Sequence, residues 1–108
     1  MIDTHYILSI KHTASGDDYI TLWRPNDAGY TLYLPAAGKY SIAQIEANPG
    51  YYNNGRTTVA IPCHIVDGRG VEAADGYDCA GPVIKNTGQD WSALMAHKLR
   101  SAQGKHDE

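Results

Sequence analysis

Apolar and polar side chains alternate with period two through the first third of the chain, and this pattern predicts β-strands. Between Tyr6 and Lys11, for example, the side chains of Tyr6, Leu8 and Ile10 fall on one face. Short polar turns separate the alternating segments and favour antiparallel pairing. The predicted strands are Tyr6–Lys11, Tyr19–Arg24, Tyr30–Leu34 and Thr57–Ile61, with a further short strand at Val83–Ile84.

Capping signals and helical spacing predict a short helix in the middle of the chain and a longer one near its end. Ser41-Ile42-Ala43-Gln44 fits a capping box, and the helix is expected to run to about Ala47. Thr87 is the predicted N-cap of the second helix. Its buried face is predicted from the apolar spacing of Trp91, Leu94, Met95 and Leu99. Single helical turns are expected at Cys63–Val66 and Val71–Ala74.

These elements predict an α+β fold: a small antiparallel sheet of about four to five strands, a short helix, and a C-terminal amphipathic helix packed on the sheet. The 108 residues suit one domain. We expect it to span residues 1–100, followed by a polar tail at residues 101–108. The remaining long segment, residues 67–82, is rich in glycine and aspartate and is predicted to be a loop.

Composition and charge exclude several classes of protein. The net charge of −3 comes from mixed signs without a basic stripe, so binding to nucleic acid phosphates is not expected. No apolar run is long enough to span a bilayer, and no secretory signal is evident. Cys63 and Cys79 are best explained as reduced thiols of a cytoplasmic protein, although their spacing permits a bridge.

The aromatic residues are unusual, because the chain has eight Tyr and two Trp but no Phe. Every aromatic side chain therefore has a polar tip, which suits pockets and interfaces that are packed at one end and wet at the other. Tyr is also a good strand residue on a half-exposed sheet. The whole set favours binding more than any single Tyr does.

The first candidate site is the tip of the second predicted hairpin. Arg24 offers a bidentate fork for a phosphate or carboxylate, and Trp23 or Tyr30 can stack on a flat group. Asn26 can recognise the edge of such a group through hydrogen bonds. The competing interpretation is a well-formed turn shaped by Asn26 and Gly29, with Arg24 solvated.

The second candidate site follows the short helix, where Tyr51-Tyr52-Asn53-Asn54-Gly55-Arg56 is predicted to be a loop. Adjacent rings, amides and a guanidinium are typical of binding loops. The candidate ligand-binding residues here are Tyr51, Tyr52, Asn53 and Arg56. Asn54-Gly55 also suits a plain turn into the following strand.

Catalytic and metal-binding patterns are weak. The five His show no ligand spacing, and the Asp-rich turns lack the alternation of a calcium loop. Cys63 and His64 are the one candidate nucleophile and base, but adjacent side chains rarely point together. The backbone amides at Ala37–Ser41 can hold an anion, or simply begin a capped helix. We therefore expect no enzyme activity, no metal and no cofactor.

The chain resembles small uncharacterised proteins encoded by bacteriophages and prophages. The similar segments are Trp23–Thr31 and Ala37–Ser41, followed by the loop rich in Tyr and Asn and by Thr58–Pro62. The resemblance covers roughly residues 6–66. It implies a genetic setting and not a mechanism: accessory phage proteins without catalytic motifs often act by binding inside the infected host.

Three functions are compatible with these observations. The leading hypothesis is a phage binding protein, expected to be a homo-oligomer, that sequesters a nucleotide-type immune signalling molecule of the host. The first alternative is an inhibitor that binds a host defence protein directly, of the anti-restriction or anti-CRISPR type. The second is a minor virion or assembly component.

Overall fold

The computed structural model describes residues 4–100, which form a five-stranded antiparallel sheet with short helices. The predicted α+β class is therefore confirmed. The strands are β1 (Thr4–Ser9), β2 (Thr21–Trp23), β3 (Tyr30–Thr31), β4 (Tyr40–Ser41) and β5 (Thr58–Pro62). The helices are α1 (Ile42–Ala47), α2 (Pro49–Tyr52), α3 (Cys63–Asp67) and α4 (Gly88–Met95). Two 3-10 turns lie at Pro25–Asp27 and Leu34–Ala36.

The first strand is the centre of the sheet. Leu8 of β1 pairs with both Leu22 of β2 and Val59 of β5, so these two strands lie on opposite sides of β1. The N-terminal end of β1 also pairs with β4, and β3 pairs with β2 at the edge. Because β1 is covered on both faces, its residues from His5 to Ser9 are all buried.

Each face of the sheet carries a separate hydrophobic core. The predicted alternation holds: Tyr6, Leu8 and Ile10 lie together in the first core, and Ile7 lies in the second. The first core is closed by α3 and α4 and consists of Tyr6, Leu8, Ile20, Leu22, Leu34, Ala37, Val59, Ile61, Cys63, Val66, Ile84 and Leu94. The second core is closed by α1 and α2 and consists of Ile7, Trp23, Tyr40, Ile45, Tyr52 and Ala60.

The predicted helix caps are present at both helices. Ser41 Oγ accepts a hydrogen bond from Gln44 N at 3.1 Å, and Thr87 Oγ1 accepts one from Asp90 N at 3.0 Å. The second half of the predicted capping box is not made, since no hydrogen bond joins Ser41 N to the Gln44 side chain; Gln44 Nε2 donates to Tyr52 Oη at 3.3 Å. The Gln44 side chain, which the sequence pattern assigned to the cap, therefore links α1 to α2.

The segment Tyr51–Tyr52 is helical, so its prediction as a loop was wrong. Asn48 ends α1, but Pro49 stands at the first position of α2 rather than acting only as a breaker. The fixed φ of proline suits that position, and its missing N–H is not needed there. The short helix then directs Tyr52 into the second core and leaves Tyr51 at the surface.

The helix α4 ends at Met95, although the sequence pattern extends its apolar face to Leu99. Leu94 is buried in the first core, with Trp91 and Met95 packed against it. Beyond the helix the chain crosses to the other face of the sheet, where Leu99 packs on the second core. The predicted polar tail, residues 101–108, lies outside the described residues.

The glycine-rich segment contains a long-range backbone pairing in place of the helical turn predicted at Val71–Ala74. Val71 forms an isolated antiparallel bridge with Val83, with two hydrogen bonds of 2.8 Å. Ala74 N donates to the hydroxyl of Tyr19 at 2.7 Å. These partners are distant in sequence, which explains why local pattern does not reveal them.

The outer edge of β5 is covered by hydrogen bonds from neighbouring segments. Ala60 N donates to Asn53 Oδ1 at 3.0 Å, and Leu99 N donates to Ala60 O at 2.9 Å. Asn53 Nδ2 also donates to Leu99 O at 2.7 Å. One buried side chain thus joins the end of α2, the middle of β5 and the segment that follows α4.

An ion pair at the start of α4 makes stability depend on pH. The Asp90 carboxylate accepts from Thr87 Oγ1 at 2.6 Å and from Arg69 Nε at 2.8 Å. Burial acts to raise the pKa of Asp90, but these hydrogen bonds and the Arg69 charge lower it below its ordinary value. Since the folded pKa lies below the unfolded one, the stabilisation is present above about pH 4 and is lost as pH falls through the folded pKa.

We therefore expect Asp90→Asn to lower the free energy of unfolding by about 1–2 kcal/mol at pH 7. Urea unfolding at pH 7 and pH 3 should show the gap between wild type and variant shrinking in acid. Asp75→Asn, at an exposed carboxylate, is the control and should leave stability unchanged at both values. A gap that stays constant with pH would contradict the role of the Asp90 charge.

Candidate functional site

Trp23 brings together the two segments in which the sequence predicted a site. Its indole is surrounded by tyrosine rings whose centroids lie 5.0 Å (Tyr51), 5.7 Å (Tyr52), 6.3 Å (Tyr40) and 6.5 Å (Tyr30) away. Three of these contacts are edge-to-face, a favourable arrangement for aromatic pairs. The hairpin tip and α2, far apart in sequence, are therefore neighbours around one indole.

A cleft opens beside this aromatic group, at the end of the sheet on the side of the second core. Its volume is about 150 Å³. The lining residues, contributed by β1 and the turn after it, by the hairpin, by α2 and by β5, are Ser9, Lys11, His12, Trp23, Tyr30, Gly50, Tyr51, Thr57 and Thr58. Aromatic surface and polar side chains thus face the same small space.

The hairpin tip is held in a conformation that few residues adopt. Asn26 and Asp27 both have positive φ, at 60° and 59°, in the left-handed region that Asn and Asp tolerate better than most side chains. The hydroxyl of Tyr40 fixes the turn, since it accepts from Asp27 N at 3.0 Å and donates to Arg24 O. This anchoring positions Trp23 and Tyr30 on the strands that lead into the tip.

Two hydroxyl groups fix the backbone of α2 beside Trp23. Thr58 Oγ1 donates to Tyr51 O at 2.9 Å and so fixes the end of α2 on β5. The Tyr52 hydroxyl donates to Asp27 Oδ2 at 3.2 Å and links α2 to the hairpin tip. Burial is the main cause that raises the pKa of Tyr52, so this hydroxyl keeps its proton for that bond.

The polar wall of the cleft was not anticipated from the sequence. Lys11 and His12 follow β1 in a turn, and both side chains are exposed. The His12 ring lies 4.3 Å from the Tyr30 ring at an angle of 35°, and its Nδ1 is 3.0 Å from Ser9 Oγ. A cationic side chain and an imidazole therefore border the aromatic surface. In the sequence these two residues look only like part of a polar turn.

Five of the predicted ligand-binding residues do not line the cleft. Arg24 Nε donates to Tyr30 O at 3.0 Å, which lays the guanidinium along the edge strand. Asn26 shapes the turn, and the amide of Asn53 is used by β5 and the segment after α4. Arg56 is exposed. Trp23, Tyr30 and Tyr51 line the cleft, and Tyr52 packs behind Trp23.

A larger concavity of about 380 Å³ lies in the glycine-rich segment, away from this group. Its lining residues are Gly70, Val71, Glu72, Ala73, Asp78, Cys79, Gly81 and Pro82. The lining contains no aromatic ring and no cation, and its charged side chains are the carboxylates of Glu72 and Asp78, so it offers neither a stacking surface nor a positive charge to a phosphate. This concavity is the larger of the two, but the side chains that line the cleft beside Trp23 are better suited to binding a ligand.

Other kinds of site find little support in residues 4–100. Within that range, no three or more His, Cys, Asp or Glu side chains lie close enough together to hold a metal ion. Cys63 is buried and Cys79 is exposed, and both are free thiols. Nor does any helix of that range combine the length and apolar character needed to cross a membrane.

Comparison with protein-family models, curated proteins and solved structures gives no match to this chain. The function must therefore be inferred from the side chains that line the cleft.

Proposed function

We propose that this protein binds a small molecule of the nucleotide type in the cleft beside Trp23. One observation carries the proposal: the Tyr30 and Tyr51 rings, 45% and 47% exposed, both lie against the buried indole of Trp23. They are the large apolar side chains left exposed in residues 4–100. Exposed rings held on a rigid aromatic base suit the stacking of a flat group.

The polar wall supports the same class of ligand. Lys11 and His12 border the cleft, so an anionic substituent of a stacked ring can pair with a cation there. The hydroxyl groups of Ser9 and Thr57 line the same wall and add hydrogen-bonding capacity. A planar ring joined to a phosphate meets both surfaces at once.

The size of the cleft limits how much of the ligand one chain holds. At about 150 Å³ it is smaller than the roughly 300–1,000 Å³ of sites that enclose a drug-sized molecule. One ring fits, and the phosphate side stays outside near Lys11. A homo-oligomer in which a second copy covers the ligand would enclose the whole molecule, which fits the oligomeric state expected from the sequence.

The resemblance to phage-encoded proteins supports a biological role for this binding. A small binding protein without catalytic groups, made in the cytoplasm of an infected bacterium, can sequester a nucleotide-type immune signal of the host. The ligand is then held and not converted, so activity depends on affinity and on the amount of protein. This biological role rests on the genetic setting, whereas the ligand class rests on the cleft.

The proposal is tested by native mass spectrometry with a panel of cyclic and ADP-ribose-type nucleotides. We expect one member to give a stoichiometric mass shift. Tyr51→Ala should weaken its binding roughly 5- to 150-fold, the loss expected when one stacking ring is removed. Tyr33→Ala, at a half-buried tyrosine outside the cleft, is the matched control and should bind like wild type.

If no nucleotide gives a mass shift, the proposed ligand class is wrong. If Tyr51→Ala and Tyr33→Ala bind equally well, a ligand exists but the cleft is not its site.

The same exposed rings also favour a second candidate, a protein that inhibits a host defence protein by direct binding. Tyrosines beside a buried tryptophan are typical of interface hot spots. This candidate requires a complex of fixed stoichiometry with one host protein, disrupted by Tyr51→Ala and retained by Tyr33→Ala. It also requires that the nucleotide panel fails to compete with that partner.

A further inference from the structure

Trp23 has one polar atom, and that atom lacks a partner. The residue is 7% exposed, and its indole Nε1 is buried without a hydrogen-bond acceptor among residues 4–100. It is the one buried side-chain donor in this part of the chain left in that state. Buried donors are nearly always paired, so an exception in the wall of a candidate site calls for an explanation.

The other tryptophan shows the usual arrangement. Trp91 Nε1 donates to Asn86 Oδ1 at 2.6 Å, so its N–H is satisfied within the chain. Trp91 packs against the first core and is not part of the cleft. Residues 4–100 therefore provide a partner for the indole of Trp91 and none for the indole beside the cleft.

Four tyrosine rings surround the indole that carries the unpaired N–H. Tyr51 is the nearest of them, with its centroid 5.0 Å from that of Trp23, and it is also the most exposed. A ring face is at best a weak acceptor for an N–H, so these rings do not replace a hydrogen bond. Because exposed side chains change rotamer quickly, Tyr51 is the ring around the indole that a ligand displaces most easily.

We infer that the ligand of the cleft carries a hydrogen-bond acceptor in its ring, which accepts from Trp23 Nε1 when the Tyr51 ring moves aside. The inference rests on the proposed function and narrows it to rings with a carbonyl oxygen or an unprotonated ring nitrogen, as in a nucleobase. A plain hydrocarbon ring stacks in the cleft but leaves the N–H unpaired. Trp23 is then a specificity-determining residue.

Two probes separate stacking from hydrogen bonding. Adenosine monophosphate and phenyl phosphate both combine a flat ring with a phosphate, but only the purine has ring nitrogens that accept hydrogen bonds. Because the two probes also differ in ring size and in the ribose, the hydrogen bond is measured as the part of the nucleotide's preference that Trp23→Phe removes, which we expect to be roughly 2- to 12-fold. Guanosine and uridine monophosphates, with ring carbonyls, extend the comparison to other acceptors.

The readout is the pair of indole N–H signals in an NMR spectrum of ¹⁵N-labelled protein. On addition of the nucleotide, the Trp23 signal should move downfield, while the Trp91 signal, already hydrogen-bonded, stays in place. Phenyl phosphate should perturb the signals of Tyr30 and Tyr51 without that downfield movement. Trp91→Phe assigns the two signals, and Trp23→Phe should reduce the preference for the nucleotide over phenyl phosphate by that factor.

The outcomes distinguish the two proposals. If nucleotides perturb Tyr30 and Tyr51 but leave the Trp23 indole signal unmoved, the cleft binds rings and the inferred hydrogen bond is refuted. If no probe perturbs either tyrosine, the proposed function itself fails, and the inference fails with it. A downfield shift at Trp23 with all the nucleotides and not with phenyl phosphate supports both.

Discussion

Gly38→Ala is expected to lower the free energy of unfolding by about 2–3 kcal/mol, which is at the upper end for overpacking a well-filled site. A methyl group at this position would lie 2.7 Å from Pro25 Cα and 2.8 Å from Tyr40 Cε1. The first of these atoms is backbone, so no side-chain rotation relieves the overlap. Gly38 N also donates to Trp23 O at 2.8 Å, so any shift pulls on the strand that carries the central indole.

Chemical denaturation of Gly38→Ala beside Gly88→Ala measures this effect. Gly88 begins α4 and has open space where a Cβ would stand, so alanine there should be neutral or slightly stabilising. Ligand binding by Gly38→Ala should also weaken, because the strain falls between the hairpin tip and Tyr40. Equal stability of the two variants would mean that the tip and Tyr40 are not packed as described.

Asn53→Ala is expected to destabilise the protein by about 2–4 kcal/mol, since it leaves the buried Ala60 N–H and the Leu99 carbonyl without their partner. The penalty arises from two unsatisfied groups and exceeds the worth of one hydrogen bond. Removing the amide also frees the segment after α4 from β5, which should raise amide exchange around Leu99.

Asn48→Ala is the matched control for this variant. Asn48 flanks the other end of α2, is exposed, and makes no side-chain capping bond. Urea unfolding should therefore show a large loss for Asn53→Ala and a change within about 0.5 kcal/mol for Asn48→Ala. Similar losses at both positions would show that α2, and not the β5 edge, is what the asparagines support.

Most of the fold prediction came from two sequence patterns, the alternation of apolar and polar residues in strands and the capping residues of helices. The face shared by Tyr6, Leu8 and Ile10 was predictable because strand pleating forces neighbours in sequence to opposite sides. The caps at Ser41 and Thr87 were predictable because their partners lie three residues away. Short-range geometry fixes such features, so the sequence pattern is enough to find them.

The wrong predictions of secondary structure share one cause: contacts with residues distant in sequence override the local pattern. The two-residue strand β4 exists because β1 lies beside it, and nothing within Tyr40–Ser41 indicates pairing. Val71 is extended because Val83 binds it, although its neighbours suggested a helical turn. The α2 helix is stabilised by the burial of Tyr52, which no local rule reveals.

The candidate site could be predicted in part. Tyr and Trp in turn-rich segments pointed to Trp23, Tyr30 and Tyr51, which do meet at one cleft. The roles of Arg24 and Asn53 were not visible, because both act on backbone groups that only the folded chain brings near. Lys11 and His12 were missed because their partners across the cleft lie on other elements.

The covered edge of β5 also bears on the behaviour of the chain at high concentration. A bare edge strand is a template on which another chain can extend the sheet, and this is how many proteins begin to aggregate. In β5 the N–H and C=O of Ala60 are both bonded within the chain, and Pro62 has no N–H to offer. Asn53 and Leu99 thus end the sheet on this side and leave no ladder position at Ala60 for a neighbouring molecule.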